Sequence, residues 1–311
     1  MFIGEQPAKF AFVPERNAPI VVRNTYLPGT DTTGFVESRD YVIDYANGTV
    51  RRTSESRIPN FQKNILYGQD NFDHNKFPGF GNKGYFAFVD YTPKSKFQWP
   101  RRKGQTKLLK NARAKLRSGA PVKIVAYGDS ITSGGDATKL ELIFWRRWAD
   151  ALQKKYPSAA ITTVNGATGG DSTVQGLARL QEKVLGAQPD LVLIGFGMND
   201  HNRGGVPIPQ FESNLKEMIA KIRAATTAEI VLFSAFPPNP KWTYGTHNME
   251  AYAVATGRVA AETNCAFADV FSNWQTIATR KKPEDLLGNN INHPNDYGHW
   301  IYFETLNAMG L

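Results

Sequence analysis

The chain has 311 residues, of which 41% are hydrophobic and 21% charged, and it carries a formal net charge of +9. That composition fits a soluble globular protein of one large or two modest domains and excludes a fibrous or compositionally disordered chain. No apolar run approaches the roughly 18 residues that would cross a bilayer. Glu5 and Pro7 interrupt the start before an apolar leader can form, so the expectation is a cytoplasmic protein or one whose leader has been removed.

The positive charge is local. Of the 37 basic residues, eleven fall between Lys94 and Lys123, a stretch without Asp or Glu, which leaves 26 basic against 28 acidic residues elsewhere. With no base-reading motif beside it, this segment reads as a solvated helix face and linker, and no nucleic-acid partner is expected. The single cysteine, Cys265, rules out an intrachain disulfide and reads as a buried thiol in the apolar run Cys265-Ala266-Phe267-Ala268.

Residues 1–104 are rich in Tyr, Phe, Val, Thr, Asn and Gly, with frequent turn signals. Tyr41–Tyr45 and Thr49–Arg52 flank Ala46-Asn47-Gly48, the pattern of two strands around an Asn-Gly turn, and Gly84–Tyr91 is another strand candidate. The region reads as a β-rich accessory region whose aromatics pack or meet sugar rings. Residues 105–121 read as a basic amphipathic helix and linker. Leu108, Leu109, Ala112 and Leu116 fall on one face of that helix, and Gly119 ends it.

From 122 to 311 the pattern becomes an alternation of strands and helices. Strands are expected at Val122–Tyr127, Ala160–Asn165, Leu191–Phe196, Ile230–Ser234 and Ala266–Val270. Helices are expected at Leu140–Lys155, Val174–Leu185, Phe211–Ala225, Met249–Thr263 and Asp296–Met309. Apolar strands alternating with amphipathic helices imply an α/β fold, a parallel sheet of about five strands covered on both faces. Ligands of such sheets bind beyond the carboxyl ends of the strands.

Four stretches at those ends carry chemistry. In Gly128-Asp129-Ser130-Ile131 a serine follows the first strand, where it either caps a helix or presents its hydroxyl and its own N–H. Asn165-Gly166-Ala167-Thr168-Gly169-Gly170-Asp171 has more glycine than a plain turn needs, and its spacing does not fit the dinucleotide fingerprint. Gly197-Met198-Asn199-Asp200 places a side-chain amide at a third strand end, with Asp200 as a loop brace. Asn292-His293-Pro294-Asn295 holds a histidine whose direction Pro294 restricts. Of the other histidines, His299 reads as structural and His201 as a possible pocket residue, while His74 and His247 carry weaker cases.

Taken together and in order, the four stretches resemble the SGNH, or GDSL-type, serine hydrolase family over about residues 122–310. The resemblance implies a flavodoxin-like three-layer α/β/α sandwich, no cofactor and no metal. It implies Ser130 as nucleophile and His293 as general base, with an oxyanion hole of Ser130 N–H, Gly170 N–H and the Asn199 amide. It also implies an ester substrate, with an acetylated saccharide first, short-chain esters, lipids or thioesters second, and a disabled scaffold that only binds third. The family pattern puts Asp three residues before the histidine, and here that position is Asn290. Three readings stay open: a Ser–His dyad with Asn290 or a carbonyl at the ring, another carboxylate in the role (Glu284, Asp285 or Asp296, for example), or an impaired enzyme.

Overall fold

The computed structural model describes residues 1–95, 97–100 and 104–311. Lys96 and the basic run 101–103 lie outside the described residues. The strands are β1 Ala8–Lys9, β2 Val21–Arg23, β3 Gly34–Phe35, β4 Tyr41–Asp44, β5 Thr49–Arg52, β6 Phe88–Asp90, β7 Val122–Gly128, β8 Ile161–Asn165, β9 Leu191–Gly195, β10 Glu229–Phe233 and β11 Ala266–Ala268. The α-helices are α1 Gln105–Leu108, α2 Lys110–Ser118, α3 Ser130–Ser133, α4 Phe144–Lys155 and α5 Thr173–Lys183. Further along come α6 Ile208–Ala225, α7 Met249–Glu262, α8 Val270–Ala278, α9 Pro283–Leu286 and α10 Asp296–Asn307.

The chain divides into two compact units. The larger comprises 99–240, 244–275 and 292–311. Its five parallel strands lie in the order β11-β10-β9-β7-β8. The order reverses at β7, which pairs with β8 on one side and β9 on the other, and that switch point is where α/β sheets open a crevice. Val125, Leu191, Val192, Leu193, Val231 and Leu232 are fully buried. Each such side chain contributes about 1.5–3 kcal/mol, which is why these strands read as unbroken apolar runs. Helices α4 and α10 pack on each other, and α5, α6 and α7 pack in succession, giving a three-layer α/β/α sandwich.

The basic helix belongs to this unit. It breaks at Leu109, and both oxygens of Glu229 on β10 accept from the first-turn amides of Asn111 and Ala112 in α2, 2.9 Å each. Lys115 pairs with Asp190. Cys265 is buried, and burial raises its thiol pKa. Two strand expectations run well past the strand: β11 ends at Ala268, because Val270 starts α8, and of Gly84–Tyr91 only Phe88–Asp90 is strand, after a 3-10 turn at Lys83–Tyr85.

The smaller unit joins residues 1–98 with 241–243 and 276–291. It holds two three-stranded antiparallel sheets, β1-β5-β4 and β3-β2-β6. The β4–β5 hairpin turns at Ala46-Asn47-Gly48, where Asp44 Oδ1 accepts from Ala46 N (3.0 Å) and Asn47 N (3.1 Å). Phe2, Phe10, Val22, Phe35, Tyr41, Val50 and Ile58 form its core. A contiguous 1–104 region was expected, but the compact unit is discontinuous, because later segments supply missing partners. Phe72 exchanges backbone bonds with Lys241 and Thr243, Arg280 donates to Phe10 O, and Asn82 donates to Leu287 O.

Candidate active site

At the end of β7 the chain must turn sharply beside β9. A Cβ at Gly128 would collide with Gly195 O and Thr132 Oγ1, so only glycine fits. Asp129 then caps α3, its Oδ1 accepting from Ile131 N at 2.9 Å. Burial raises the Asp129 carboxyl to about 7, against the pull of that backbone donor. The one-turn helix α3 begins with Ser130 and ends at Gly134. Gly135 N donates back to Ser130 O at 2.8 Å, and Asp136 follows in the left-handed conformation at φ 60°.

Ser130 Oγ lies 2.8 Å from His293 Nε2, and His293 Nδ1 lies 2.9 Å from Asp136 Oδ2. A carboxylate accepts, so Nδ1 carries the proton and Nε2 is left to accept from the serine hydroxyl. The imidazole rests against the loop backbone: a Cβ on Gly135 would stand 2.9 Å from His293 Nδ1. Hydroxyl, imidazole and carboxylate thus form one hydrogen-bonded line, the arrangement that lets a serine attack an acyl carbon.

The carboxylate at the ring is none of the three named from the sequence. Neither the dyad with Asn290 or a carbonyl at the ring nor a carboxylate from the histidine's own loop describes Nδ1, which faces Asp136, 157 residues earlier. Asn290 is buried at φ 61° in the smaller unit. Asp285 pairs with the Met1 amino group and Lys281, and Glu284 sits in α9. Asp296 accepts from Thr138 N and Thr138 Oγ1, both at 2.7 Å. Asp136 follows Gly134-Gly135, six residues after the serine, but that spacing does not mark its pairing with His293.

The other strand ends converge on the same place. The Asn165–Asp171 loop is tied to β7 by Gly166 N→Ala126 O (2.9 Å) and Thr168 N→Gly128 O (3.0 Å). A Cβ on Gly169 would lie 3.8 Å from Ser130 Cβ, and Gly170 is left-handed at φ 81°. Asn199 Nδ2 donates to Asp171 O at 2.9 Å, which fixes the amide plane and leaves its second hydrogen to point elsewhere.

Asp200 is buried beneath the loop and accepts from Thr173 N, Thr173 Oγ1 and Gly197 N. Burial raises its pKa, and those donors oppose the rise. It braces the Asn199 turn. His201 is buried with Nδ1 on Met198 O at 2.6 Å, and burial lowers its pKa. His299 is buried under the acid loop, with Nε2 on Gly135 O at 3.1 Å. No helix among the described residues is long and apolar enough to cross a membrane.

Residues 126–301 match the GDSL-like lipase/acylhydrolase family. The chain is 33% identical to Esterase TesA of Pseudomonas aeruginosa over 150 residues, 48% of this chain and 70% of that protein. It is 28% identical to Thioesterase 1/protease 1/lysophospholipase L1 of Escherichia coli K12 over 180 residues, 58% of this chain and 79% of the relative. Among solved structures it resembles a two-domain esterase active on acetylated mannans, with a TM-score of 0.54 and 22% identity. That likeness covers 65% of this chain and about half, 53%, of the other, and it bears on the fold. The chain belongs to the GDSL-like lipase/acylhydrolase family and is an esterase of that kind.

Proposed function

We propose that the protein is a serine-dependent carboxylic ester hydrolase that removes acetyl groups from a carbohydrate through an acyl-enzyme. The observation that carries the chemistry is the line Ser130 Oγ–His293–Asp136, 2.8 and 2.9 Å. His293 Nε2 takes the hydroxyl proton as Ser130 Oγ bonds to the acyl carbon. The carbonyl π electrons move onto oxygen, and the oxyanion meets Ser130 N–H, Gly170 N–H and the remaining Asn199 Nδ2 hydrogen. Collapse expels the sugar alkoxide, which takes the proton from His293. Water, deprotonated by the same nitrogen, then attacks the acyl carbon, and collapse releases the acetyl group as the free acid while Ser130 Oγ leaves with the proton held by His293. Asp136 keeps Nδ1 protonated and steadies the imidazolium in both halves.

The sugar half of this reading is supported by the likeness to an esterase active on acetylated mannans. A thioester or longer acyl substrate is the second reading, supported by the Escherichia coli relative. Fluorophosphonate labelling with peptide mapping tests the nucleophile, and an adduct on any residue but Ser130 removes it. A panel of acetylated polysaccharides, p-nitrophenyl esters of rising chain length and acyl thioesters tests the substrate. The highest kcat/KM on a long acyl chain or a thioester would overturn the sugar reading and leave the serine chemistry standing.

A further inference from the structure

Resting on the roles just assigned to Ser130, His293 and Asp136, we propose that Asp296 and His299 of α10 are positioning residues for the reaction. They hold the Gly134–Thr138 loop so that Asp136 faces the imidazole. Asp136 needs holding. It is a non-glycine residue at φ 60°, a conformation that costs an L-residue about 1–2 kcal/mol. Its side chain is 36% exposed, so solvent competes for its carboxylate.

The loop is gripped on both sides of that residue. One position before it, Gly135 O receives His299 Nε2–H at 3.1 Å. Two positions after it, Thr138 gives its N–H and its hydroxyl to separate oxygens of Asp296, both at 2.7 Å. Both gripping side chains are fully buried and stand three residues apart on one face of α10. His299 is further wedged in place, stacked on Phe144 at 6.0 Å. The helix is itself fixed at its start by Asn295, whose Oδ1 accepts from Gly298 N at 2.9 Å.

His293 enters the site directly ahead of this helix. Base and acid are thereby registered against one rigid element, although they arrive from distant parts of the chain. The competing account is that Asp296 merely complements the helix N-terminus. That account attaches no importance to Thr138 and predicts no coupling to Asp136.

A double-mutant cycle on the full chain separates the two accounts. Turnover of p-nitrophenyl acetate is expressed per Ser130 titrated by fluorophosphonate, so misfolded molecules do not enter the rate. Asp136→Asn should lower kcat about 10³–10⁴-fold. Asp296→Asn should lower it about 10²-fold through misplacement of the loop, with KM within about twofold. Combined with Asp136→Asn, it should cost no more than about twofold further. Thr138→Val, a gentler change should Asp296→Asn fold poorly, should cost about tenfold alone and nothing in the Asp136→Asn background. His299→Phe should follow the same pattern, with His299→Gln restoring part of the loss.

Equal costs in both backgrounds, or no cost from Asp296→Asn and Thr138→Val in either, would overturn the positioning role while leaving the Ser130–His293–Asp136 reading intact. If Asp136→Asn is silent while Ser130→Ala is dead, the acid assignment fails, and the positioning role fails with it.

Discussion

In the α/β unit the strand backbone satisfies itself through parallel ladders five strands wide, and β9, β10 and β11 carry runs of buried apolar residues. In the smaller unit the strands are two to four residues long, and polar side chains finish the work. Asp40, fully buried, accepts from Val36 N (2.8 Å), Arg57 N (3.0 Å), Arg57 Nε (3.0 Å) and Arg57 Nη2 (2.7 Å). Arg52 donates to Ile58 O and Ser56 O, and Arg280 to Phe10 O and Gly48 O. A unit with few ladder bonds must satisfy its carbonyls and amides from side chains, so single polar residues become critical there. In the α/β unit, buried Asp129, Thr173, Asp200, Asp296 and His299 brace the loops of the candidate site.

The severest break in this contrast is a truncation starting at Ala120. It removes α1 and α2, whose Leu109, Ala112 and Leu116 are buried in the α/β unit, and it strips residues 276–291 of the unit they complete. The expected product is insoluble and inactive. A soluble fragment that turns over p-nitrophenyl acetate normally would mean that neither unit depends on these residues.

Asp40→Ala probes the smaller unit alone. Removing a buried carboxylate leaves Arg57 with Gly34 O alone and two backbone amides without an acceptor, so urea unfolding should show a loss of about 3 kcal/mol with kcat preserved in the folded protein. A loss under about 0.5 kcal/mol would place Asp40 with ordinary surface ion pairs.

His299 probes the α/β unit through pH. Burial holds its pKa near about 4 instead of 6.5. The unfolded chain therefore binds this proton first, and folded stability falls as pH drops from about 6.5 to about 4, by about 3 kcal/mol in all. Asp129, raised by burial to about 7, acts oppositely, costing stability as pH rises through that range. Relative to the parent, His299→Gln should gain stability on going from pH 7 to pH 4.5. A pH-independent difference between the two would show that the imidazole titrates normally.

The smallest effect is expected at Asn290. Because Asp136 already occupies His293 Nδ1, Asn290→Asp should leave kcat within about twofold or lower it, a change well under 1 kcal/mol of barrier. A tenfold gain would return the acid role to the position before the histidine.

The legible parts of this protein were those with a local cause. Continuous apolar runs mark β7, β9 and β10 because both faces of a parallel sheet are buried. The Asn-Gly turn marks the β4–β5 hairpin, because Gly48 takes the left-handed φ of 58° that other residues rarely adopt. The four motif blocks mark the strand ends, because close approach to a reacting atom demands glycine and short polar residues. The two- and three-residue strands β1, β2 and β3 carry too few positions for a period to register. The return of 241–243 and 276–291 to the smaller unit leaves no local pattern at all. The acid is the sharpest case. Ser130 and His293 could be matched by their neighbours in the chain, but the pairing of His293 with Asp136 arises because α10 brings the ring and the Gly134–Thr138 loop together. Contacts across 157 residues follow from strand order and helix packing, which no local spacing encodes.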